Sequence, residues 1–411
     1  MALTPSPTPS PPILVVGAGP VGLAAALALR AEGLPVTVLE AEAEGRQRPG
    51  SRAIFIHRES LQHLEAISEG LGWALARTGL VWSTKRTFWG ERQVYERTYQ
   101  PPDPHVLPHS TNLSQVAIEG LMFDAAKRAG VGFAWSQAVT GVAATPGGVT
   151  LTTEGGATWE APYVIGADGA RSAVRRGIGV ELAGDRAESS FVIVDVAEDE
   201  DRPLLPERVY YYEHPAVERR NVLLVPFAGG WRADLMLRED DDPDDFDDED
   251  GVRSWIARVL PERYADRVTW VSTYRFHQVV AERLTDDARR VLLVGEAAHL
   301  FAPFGARGLN SGIPDARAAA AAVRAARDDP AGATAAVDRF AATRHAAAVY
   351  NRDAAAQALA HMRARSLGVR ARRRLAATLA LAGNRAGAWL DSAPYGPRAG
   401  ARRPPGATGT Y

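Results

Sequence analysis

Three glycines near the N-terminus have a spacing that can bind a phosphate group. In the segment GAGPVG, Gly17, Gly19 and Gly22 follow a short apolar run and open an alanine-rich stretch. Gly17 permits a tight turn, Gly19 lets a pyrophosphate approach the main chain, and Gly22 permits close packing of a helix on a sheet. Free N–H groups at the start of that helix attract the phosphate. Glu40 ends the next apolar run, where a carboxylate can bind a ribose hydroxyl. The pattern predicts a site for an ADP-containing dinucleotide, without choosing between FAD and NAD.

Two later segments place polar residues directly after apolar runs. In YVIGADGARS, Asp168 and Gly169 end such a run, and in isolation they favour an ordinary capped turn. In LLVGEAAHLFAPFGARGLNSG, Glu296 follows another run, and Gly305 and Gly308 come soon after it. Because glycine weakens regular structure, such a cluster indicates a ligand that tolerates no side chain nearby. The segment therefore predicts a ligand lying against the main chain.

The elements that must position these residues follow from the apolar pattern. Ile13–Val16 is typical of a strand buried on both faces, and a helix is predicted over about Pro20–Ala31. A second strand ends at Glu40, which completes a strand–helix–strand unit with a right-handed crossover. A further helix is predicted over 111–130. Short alternating runs over about 191–280 predict a mostly antiparallel second domain.

The composition is that of a globular protein and gives no sign of nucleic-acid or membrane binding. The 411 residues carry a net charge of −2, are 46% hydrophobic and 23% charged, and include no cysteine. Disulfides and thiolate metal sites are thereby excluded, no metal site is expected from the histidine spacing, and a cytoplasmic location fits. No apolar run approaches the roughly 20 residues of a membrane helix. Residues 1–12 and 396–411 are predicted to be disordered.

Taken in this order, GAGPVG, GADGARS and GEAAHLFAPFGARGLNSG resemble the three motifs of the class A FAD-dependent aromatic monooxygenases, the 4-hydroxybenzoate hydroxylase-like family. The resemblance covers roughly residues 13–391. It implies an α/β fold, with a Rossmann-like FAD/NAD(P)-binding domain, a mostly antiparallel β-sheet substrate domain and C-terminal helices. The expected FAD-binding domain combines 13–80, 109–188 and 285–395, and the expected substrate-binding domain combines 81–108 and 189–284.

The resemblance also implies which residues contact FAD. Pro303 is expected close to the reactive face of the flavin, and Arg52 is expected near the FAD pyrophosphate, where it takes part in cofactor handling. These two residues are the catalytic candidates. Glu296 departs from the family, which has an aspartate here to bind a ribityl hydroxyl; glutamate keeps the charge but is one methylene longer. His299 is expected to make a structural hydrogen bond. The full set of expected cofactor contacts is Gly17, Gly19, Pro20, Val21, Gly22, Glu40, Arg52, Gln115, Asp168, Gly169, Glu296, Pro303, Gly308, Leu309 and Asn310.

The reaction that the resemblance implies is hydroxylation of a phenolic or polyketide-like aromatic substrate by NAD(P)H and O2, through a flavin hydroperoxide. NADPH or NADH is expected as a transient reductant, because the sequence contains one strand-linked dinucleotide motif. Epoxidation, Baeyer–Villiger oxidation, dehydrogenation and a non-catalytic flavin-binding role remain alternatives. A monomer or homodimer is expected. The candidates for contact with the small aromatic substrate are Tyr212, His214, Arg232 and Phe304.

Overall fold

Two large sheets of different type form the framework. The computed structural model describes residues 11–46, 53–101 and 103–397. The strands are β1 Ile13–Val16, β2 Val36–Leu39, β3 Ala53–His57, β4 Thr84–Trp89, β5 Arg92–Thr98, β6 Ser110–Ser114, β7 Gly132–Ala134, β8 Val139–Thr145, β9 Gly148–Thr153, β10 Thr158–Ala161, β11 Val164–Gly166, β12 Leu182–Ala197, β13 Glu207–His214, β14 Arg220–Phe227, β15 Gly230–Met236, β16 Val268–Ala281, β17 Val291–Leu293 and β18 His299–Leu300. The helices are α1 Pro20–Ala31, α2 Arg58–Ile67, α3 Leu71–Thr78, α4 Gln115–Arg128, α5 Ala173–Gly177, α6 Asp244–Asp247, α7 Glu249–Val259, α8 Arg307–Asp328, α9 Ala333–Arg363, α10 Leu367–Leu379 and α11 Asn384–Ser392.

The first sheet is parallel and has the strand order β17-β11-β1-β2-β7. All four residues of β1 are buried, which explains the unbroken apolar run Ile13–Val16. Helix α1 begins at Pro20, whose fixed φ suits the first helical position, and ends at Ala31. The predicted strand and helix are confirmed. The carboxyl ends of β1, β2 and β11 consequently meet at one edge of the sheet.

The second sheet has eight strands in the order β18-β16-β12-β15-β14-β13-β4-β5. Its pairs are antiparallel except for β13 with β4. Burial alternates along β13, so that Tyr210 and Tyr212 point into the protein from the same face. The predicted mostly antiparallel sheet is confirmed, although the division of the chain into domains at the stated boundaries stays a prediction.

The helix predicted over 111–130 is wrong at its start. Residues Ser110–Ser114 form strand β6, which pairs with β3, and helix α4 begins only at Gln115. Ser114 marks the change, because its hydroxyl accepts a hydrogen bond from the N–H of Ala117 at 3.2 Å and caps the helix. The predicted helix started too early because the apolar pattern extends upstream of Ser114, the residue that caps the helix.

Long C-terminal helices pack on α1 and on the eight-stranded sheet. Helix α8 contacts α1, and α9 contacts α8 and β16. Alanine dominates the buried positions of α8, which lets the two helices approach closely. Within the part of the chain that the structure describes, no helix is both long enough and apolar enough to cross a membrane.

Candidate functional site

A cavity of about 850 Å³, here called the main cavity, joins the parallel sheet to the eight-stranded sheet. It opens at the carboxyl ends of β1, β2 and β11, which is where α/β sheets bind ligands. Arg52 lies outside the described residues, and Gly22 and Asn310 do not line the cavity. The predicted cofactor residues that do line it are Gly17, Gly19, Pro20, Val21, Glu40, Gln115, Asp168, Gly169, Glu296, Pro303, Gly308 and Leu309.

The glycines of the first turn serve different purposes. Gly17 has φ of 100°, and a Cβ there would lie 2.6 Å from the carbonyl oxygen of Ala167. A Cβ at Gly22 would overlap the carbonyl oxygen of Gly17, so α1 packs directly on the turn. Gly19 is the N-cap of α1, and apart from its chain neighbours no described residue has an atom within 4 Å of where its Cβ would be. The start of α1 therefore presents open main chain to the main cavity, as an anion-binding helix end requires.

Glu40 is held as a buried carboxylate at the end of β2. Its Oε2 accepts a hydrogen bond from the N–H of Ala18 at 2.7 Å, and its Oε1 pairs with Arg46. Burial alone would raise the pKa of Glu40, but the Ala18 hydrogen bond and the Arg46 charge together hold that pKa below its ordinary value. Glu40 is therefore ionised at neutral pH, and it both stabilises the glycine turn and borders the main cavity.

The Asp168 motif is a capped turn that also borders the cavity. Ser172 Oγ donates to Asp168 Oδ1 at 2.5 Å, and the N–H of Val174 donates to Asp168 Oδ2 at 3.0 Å. Arg175 then donates to the carbonyl oxygen of Ala297 at 3.0 Å. This bond ties the second motif to the third. The second motif thus has a clear structural role in addition to its place at the cavity.

The third motif forms a turn and the start of α8. Glu296 is exposed in the turn Gly295–Ala297 and faces the main cavity. Gly312 lies against Val21 of α1, where a Cβ would come within 2.5 Å of the valine side chain. At Gly308, by contrast, no atom of a described residue outside its own helical turn lies within 4 Å of an added Cβ. Of the motif's glycines, Gly312 therefore serves helix packing, and Gly308 leaves main chain open to the cavity.

The side chain of Asn310 is held by hydrogen bonds within the protein, and its expected contact with FAD stays a prediction. Its Oδ1 accepts from the N–H of His57 at 2.9 Å, and its Nδ2 donates to the carbonyl oxygens of Phe55 at 2.8 Å and Ala306 at 2.7 Å. The side chain therefore fastens strand β3 to the start of α8. It supports the wall of the cavity from behind.

Gln115 lies at the first position of α4, beside the main cavity. Its Nε2 donates to Glu119 Oε1 at 2.7 Å, which fixes the side-chain amide. His299 is buried, and its Nε2 lies 2.7 Å from Asp315 Oδ2. The expected structural hydrogen bond of His299 is thus present.

The four substrate candidates divide into two pairs. Phe304 lines the cavity and meets Phe191 edge-to-face, with ring centroids 5.5 Å apart. Arg232 also lines it, but its Nε donates to Asp234 at 2.6 Å and its Nη1 donates to the carbonyl oxygen of Ala53 at 2.8 Å. The charge of Arg232 is therefore paired with Asp234, and its bond to Ala53 connects β15 to β3.

Tyr212 and His214 do not line the main cavity, which corrects their place in the expected substrate set. Tyr212 is fully buried, and its hydroxyl donates to the carbonyl oxygen of Leu390 at 2.6 Å and lies 2.9 Å from His361 Nε2. His214 accepts from the N–H of Ala216 at 3.3 Å and so caps a turn. Both face inward as their strand pattern predicts, but helices α9 and α11 cover that end of the strand.

Tyr210 is a cavity residue that the sequence argument did not include among its substrate candidates. It lines the main cavity, and within the described part of the chain its buried hydroxyl has no hydrogen-bond partner. Burial raises the pKa of Tyr210 well above its ordinary value, against the lowering effect of Arg373 and Arg208, so the phenol stays protonated. Buried hydroxyls are normally satisfied, so this one is free to bond a ligand. The alternation of β13 was the available signal, since it places Tyr210 and Tyr212 on one face.

The parallel sheet, the glycine turn and the cavity at its carboxyl edge define a dinucleotide-binding protein. A family model described as "FAD binding domain" matches residues 11–355, so the chain belongs to that family. FAD is accordingly its cofactor. The open main chain at Gly19 and Gly308 and the ionised Glu40 fit the phosphate, ring and ribose parts of that molecule.

Curated relatives cover about three quarters of the chain. The 3-(3-hydroxy-phenyl)propionate/3-hydroxycinnamic acid hydroxylase of Mycolicibacterium gilvum (strain PYR-GCK) is 29% identical over 314 residues, which cover 74% of this chain and 52% of the relative. The 6-methylpretetramide 4-monooxygenase of Streptomyces rimosus is 30% identical over 312 residues, 74% of this chain and 54% of the relative. The chain thus spans about half the length of these two relatives.

A solved structure matches nearly the whole fold. The crystal structure of p-nitrophenol 4-monooxygenase from Pseudomonas putida DLL-E4 superimposes with a TM-score of 0.76 and 24% sequence identity, covering 95% of this chain and 99% of that one. The similarity establishes the shared architecture of a parallel cofactor sheet beside a larger antiparallel sheet.

Proposed function

We propose that this protein is an FAD-dependent monooxygenase that uses NAD(P)H and O2 to hydroxylate an aromatic substrate. The observation that carries the proposal is the continuity of the main cavity. It reaches from the Gly17 turn and Glu40, past Glu296 and Pro303, to an aromatic region on the eight-stranded sheet. A cofactor held at the first end and a substrate held at the second would meet near Pro303.

The aromatic end of the cavity supports a flat, largely apolar substrate. Its walls include Phe191, Tyr210, Tyr274, Phe301 and Phe304. Aromatic side chains offer stacked and edge-on contacts to a substrate ring. The name of the Mycolicibacterium gilvum relative supports the same substrate class, because it contains a hydroxyphenyl substrate and a hydroxylase. The name of the Streptomyces rimosus relative supports the reaction class, because it is a monooxygenase.

Bound FAD supplies the electrons that activate dioxygen, a reaction that side chains alone cannot perform. The contribution of the chain is to bind, to orient and to exclude water. Phe301 and Phe304 add apolar surface to the wall of the cavity, which would limit loss of activated oxygen to water. The hydroxyl of Tyr210 is available to donate to, or accept from, an oxygen on the substrate ring. Arg232 is paired with Asp234 and would keep that ion pair when the substrate binds.

The proposal also covers the reductant, the cellular location and the oligomeric state of the protein. NADPH or NADH would bind transiently, as in the resemblance, and either is produced in the cytoplasm, where we place the protein. We propose a monomer or a homodimer, which light scattering on the purified protein would distinguish from larger assemblies.

The test is product formation from labelled oxygen. The flavin-loaded protein is mixed with NADPH or NADH, a panel of phenols and polyketide aromatics, and ¹⁸O2, and products are analysed by mass spectrometry. We expect substrate-stimulated NAD(P)H consumption and a product carrying one ¹⁸O atom on the ring. Oxygen inserted beside a carbonyl or across a double bond would change the assigned reaction. Peroxide formation with no oxygenated product across the panel would contradict the proposal.

A further inference from the structure

A second cavity lies outside the proposed reaction site and is strongly basic. It has a volume of about 380 Å³, within the range of small-ligand pockets, and lies between the ends of β13–β15 and helices α9 and α10. Two glutamates, Glu213 and Glu239, line it together with eight arginines. These arginines, which define what we call the arginine cleft, are Arg219, Arg220, Arg238, Arg363, Arg365, Arg370, Arg373 and Arg374.

The acidic side chains are already engaged by arginines on the sheet side and the rim. Glu213 pairs with Arg219, and Glu239 pairs with Arg365. Arg220 donates from Nε to Asp241 Oδ2 at 2.9 Å and pairs with Glu218 at 3.0 Å. The two lining carboxylates are therefore neutralised, and they leave the charges of α10 without a counter-ion.

The arginines of α10 make no ion pair with a described residue. Arg373 is 4% exposed, and it donates from Nη1 to the carbonyl oxygens of Met362 at 3.0 Å and His361 at 3.3 Å. Arg370 donates from Nε to the carbonyl oxygen of Ala364 at 2.8 Å. Carbonyl groups supply partial charges only. Arg374 is exposed on the same helix.

Arg373 is the unusual member of this group. Its guanidinium lies 5.3 Å from the ring centre of Trp89 and 4.8 Å from that of Tyr212, and its buried Nε has no partner among the described residues. A buried cation without a carboxylate is costly unless an anion from outside compensates it. The ring faces reduce that cost without removing the net charge.

The backbone at the rim is also strained. Glu213, Arg219 and Ala364 line the cleft with φ of 54°, 63° and 47°, in the left-handed region that non-glycine residues seldom adopt. Such conformations cost about 1 kcal/mol or more each and concentrate at ligand sites. These three residues lie at the β13–β14 turn and at the end of α9, so both segments border the cleft.

We propose that the arginine cleft binds a phosphate-bearing small molecule. Guanidinium groups match phosphate oxygens with paired hydrogen bonds, and a narrow basic cleft with protein walls concentrates anions. The cleft shares a thin wall with the main cavity, because Asn221 and Met362 line both, and Asn221 Nδ2 donates to the carbonyl oxygen of Met362 at 3.2 Å. The phosphate could belong to the nicotinamide reductant or to a phosphorylated substrate, and the chemistry at the cleft is the same.

The first experiment titrates inorganic pyrophosphate into the flavin-loaded protein by calorimetry at low ionic strength. We expect saturable binding of one pyrophosphate. Its affinity should fall about tenfold in Arg374→Gln, because that variant loses one charge-assisted hydrogen bond. Arg373→Gln should weaken it at least as much, and Arg374→Gln, at an exposed position, keeps the test valid if the buried substitution impairs folding. The matched control is Arg372→Gln on the same helix, whose guanidinium lies over Trp389 away from the cleft, with an expected change below about twofold.

Absence of saturable binding in the wild type, or equal weakening in Arg372→Gln, would overturn the proposal. A second measurement separates the two sources by following flavin reduction in wild type and Arg374→Gln. A KM for NADPH or NADH that rises with the loss of pyrophosphate affinity assigns the phosphate to the reductant. An unchanged KM for both assigns it to a phosphorylated substrate. The flavin content of each variant, read from its absorbance, shows separately whether FAD is bound, whatever the pyrophosphate affinity and the KM are.

Discussion

His299 and Asp315 form a buried pair, with Nε2 and Oδ2 2.7 Å apart and each residue 1% exposed. Asp315 also accepts from Arg344 Nε at 2.6 Å and from the N–H of Gly295 at 3.3 Å. One carboxylate on α8 thus holds a helix of the C-terminal region and the turn that carries Glu296. The candidate FAD site is positioned by this carboxylate although Asp315 itself lies behind the cavity wall.

Replacing Asp315 with asparagine should destabilise the fold and loosen the cofactor. The change leaves Arg344 without its buried counter-charge and removes the carboxylate that His299 contacts, and removing one partner of such a network costs about 3–5 kcal/mol. Urea unfolding measures the free energy, and FAD retention on gel filtration reports the turn. The control is Asp338→Asn, which removes a half-exposed partner of Arg289 and should cost less than about 1 kcal/mol. Equal stability of the two variants would refute the role given to Asp315.

The same pair predicts a pH dependence. Burial would raise the pKa of Asp315, but Arg344 and His299 outweigh it and hold that pKa below its ordinary value. A carboxyl with a lowered folded pKa stabilises the protein fully above its unfolded pKa, about 4, and loses that contribution as the pH falls through the folded value. Urea midpoints from pH 7 to pH 3 should therefore fall more steeply in wild type than in Asp315→Asn. Parallel curves would show that another group controls acid stability.

Tyr210 and Tyr212 provide a matched pair of deletions two residues apart on one strand. Tyr212→Phe leaves the carbonyl of Leu390 and the ring of His361 without the hydroxyl and should cost about 1–3 kcal/mol in unfolding free energy. Tyr210→Phe removes a hydroxyl with no described partner, so stability should hold or rise. Under the proposed function, Tyr210→Phe should instead raise the KM for a phenolic substrate.

These measurements are thermal or urea unfolding for both variants and steady-state kinetics with the best substrate of the panel. Loss of stability in Tyr210→Phe together with unchanged kinetics would contradict its assignment to the cavity. Unchanged stability in Tyr212→Phe would show that its two hydrogen bonds contribute no net free energy.

The sequence predicts local elements better than it predicts which inward residue reaches the cavity. Strand β1 and helix α1 follow from a short apolar run and a proline at the first helical position, both local signals. The alternation of β13 likewise predicts that Tyr210 and Tyr212 face inward. Which of them meets a ligand depends on the covering helices α9 and α11, and no pattern within β13 contains that information.

Long-range contacts also explain the other differences. The side chain of Asn310 forms hydrogen bonds with the main chain of Phe55 and His57, more than 250 residues earlier in the chain. Its position in the motif therefore could not predict these hydrogen bonds. Strand β6 exists because β3, more than 50 residues earlier in the chain, pairs with it, whereas its own sequence also suits the start of a helix. Propensity yields to tertiary pairing at such places.

Alanine substitutions at Gly19 and Gly22 should have different effects, one on FAD affinity and the other on stability. A Cβ at Gly22 would overlap the carbonyl oxygen of Gly17, so Gly22→Ala should lower the stability of the FAD-free protein. Gly19→Ala places its methyl in open space, so the FAD-free protein should unfold at the same urea concentration as wild type. FAD affinity should nonetheless fall in Gly19→Ala, because the pyrophosphate must approach that main chain. Titration of apoprotein with FAD checks this, and unaltered affinity in Gly19→Ala would place the pyrophosphate elsewhere.

Glu296 offers the sharpest test of how this chain departs from its family. Its side chain is exposed at the main cavity, and burial therefore gives it no structural task that would confuse the result. Glu296→Ala should weaken FAD binding by about 1.5–3 kcal/mol, the loss of a charge-assisted hydrogen bond to the ribityl chain. Glu296→Asp introduces the aspartate that the resemblance implies at this position and should keep FAD bound, while Glu296→Gln removes the charge and keeps the length of the side chain. Fluorescence titration of each apoprotein gives the dissociation constants, and equal affinity in wild type and Glu296→Ala would show that this carboxylate does not hold the cofactor.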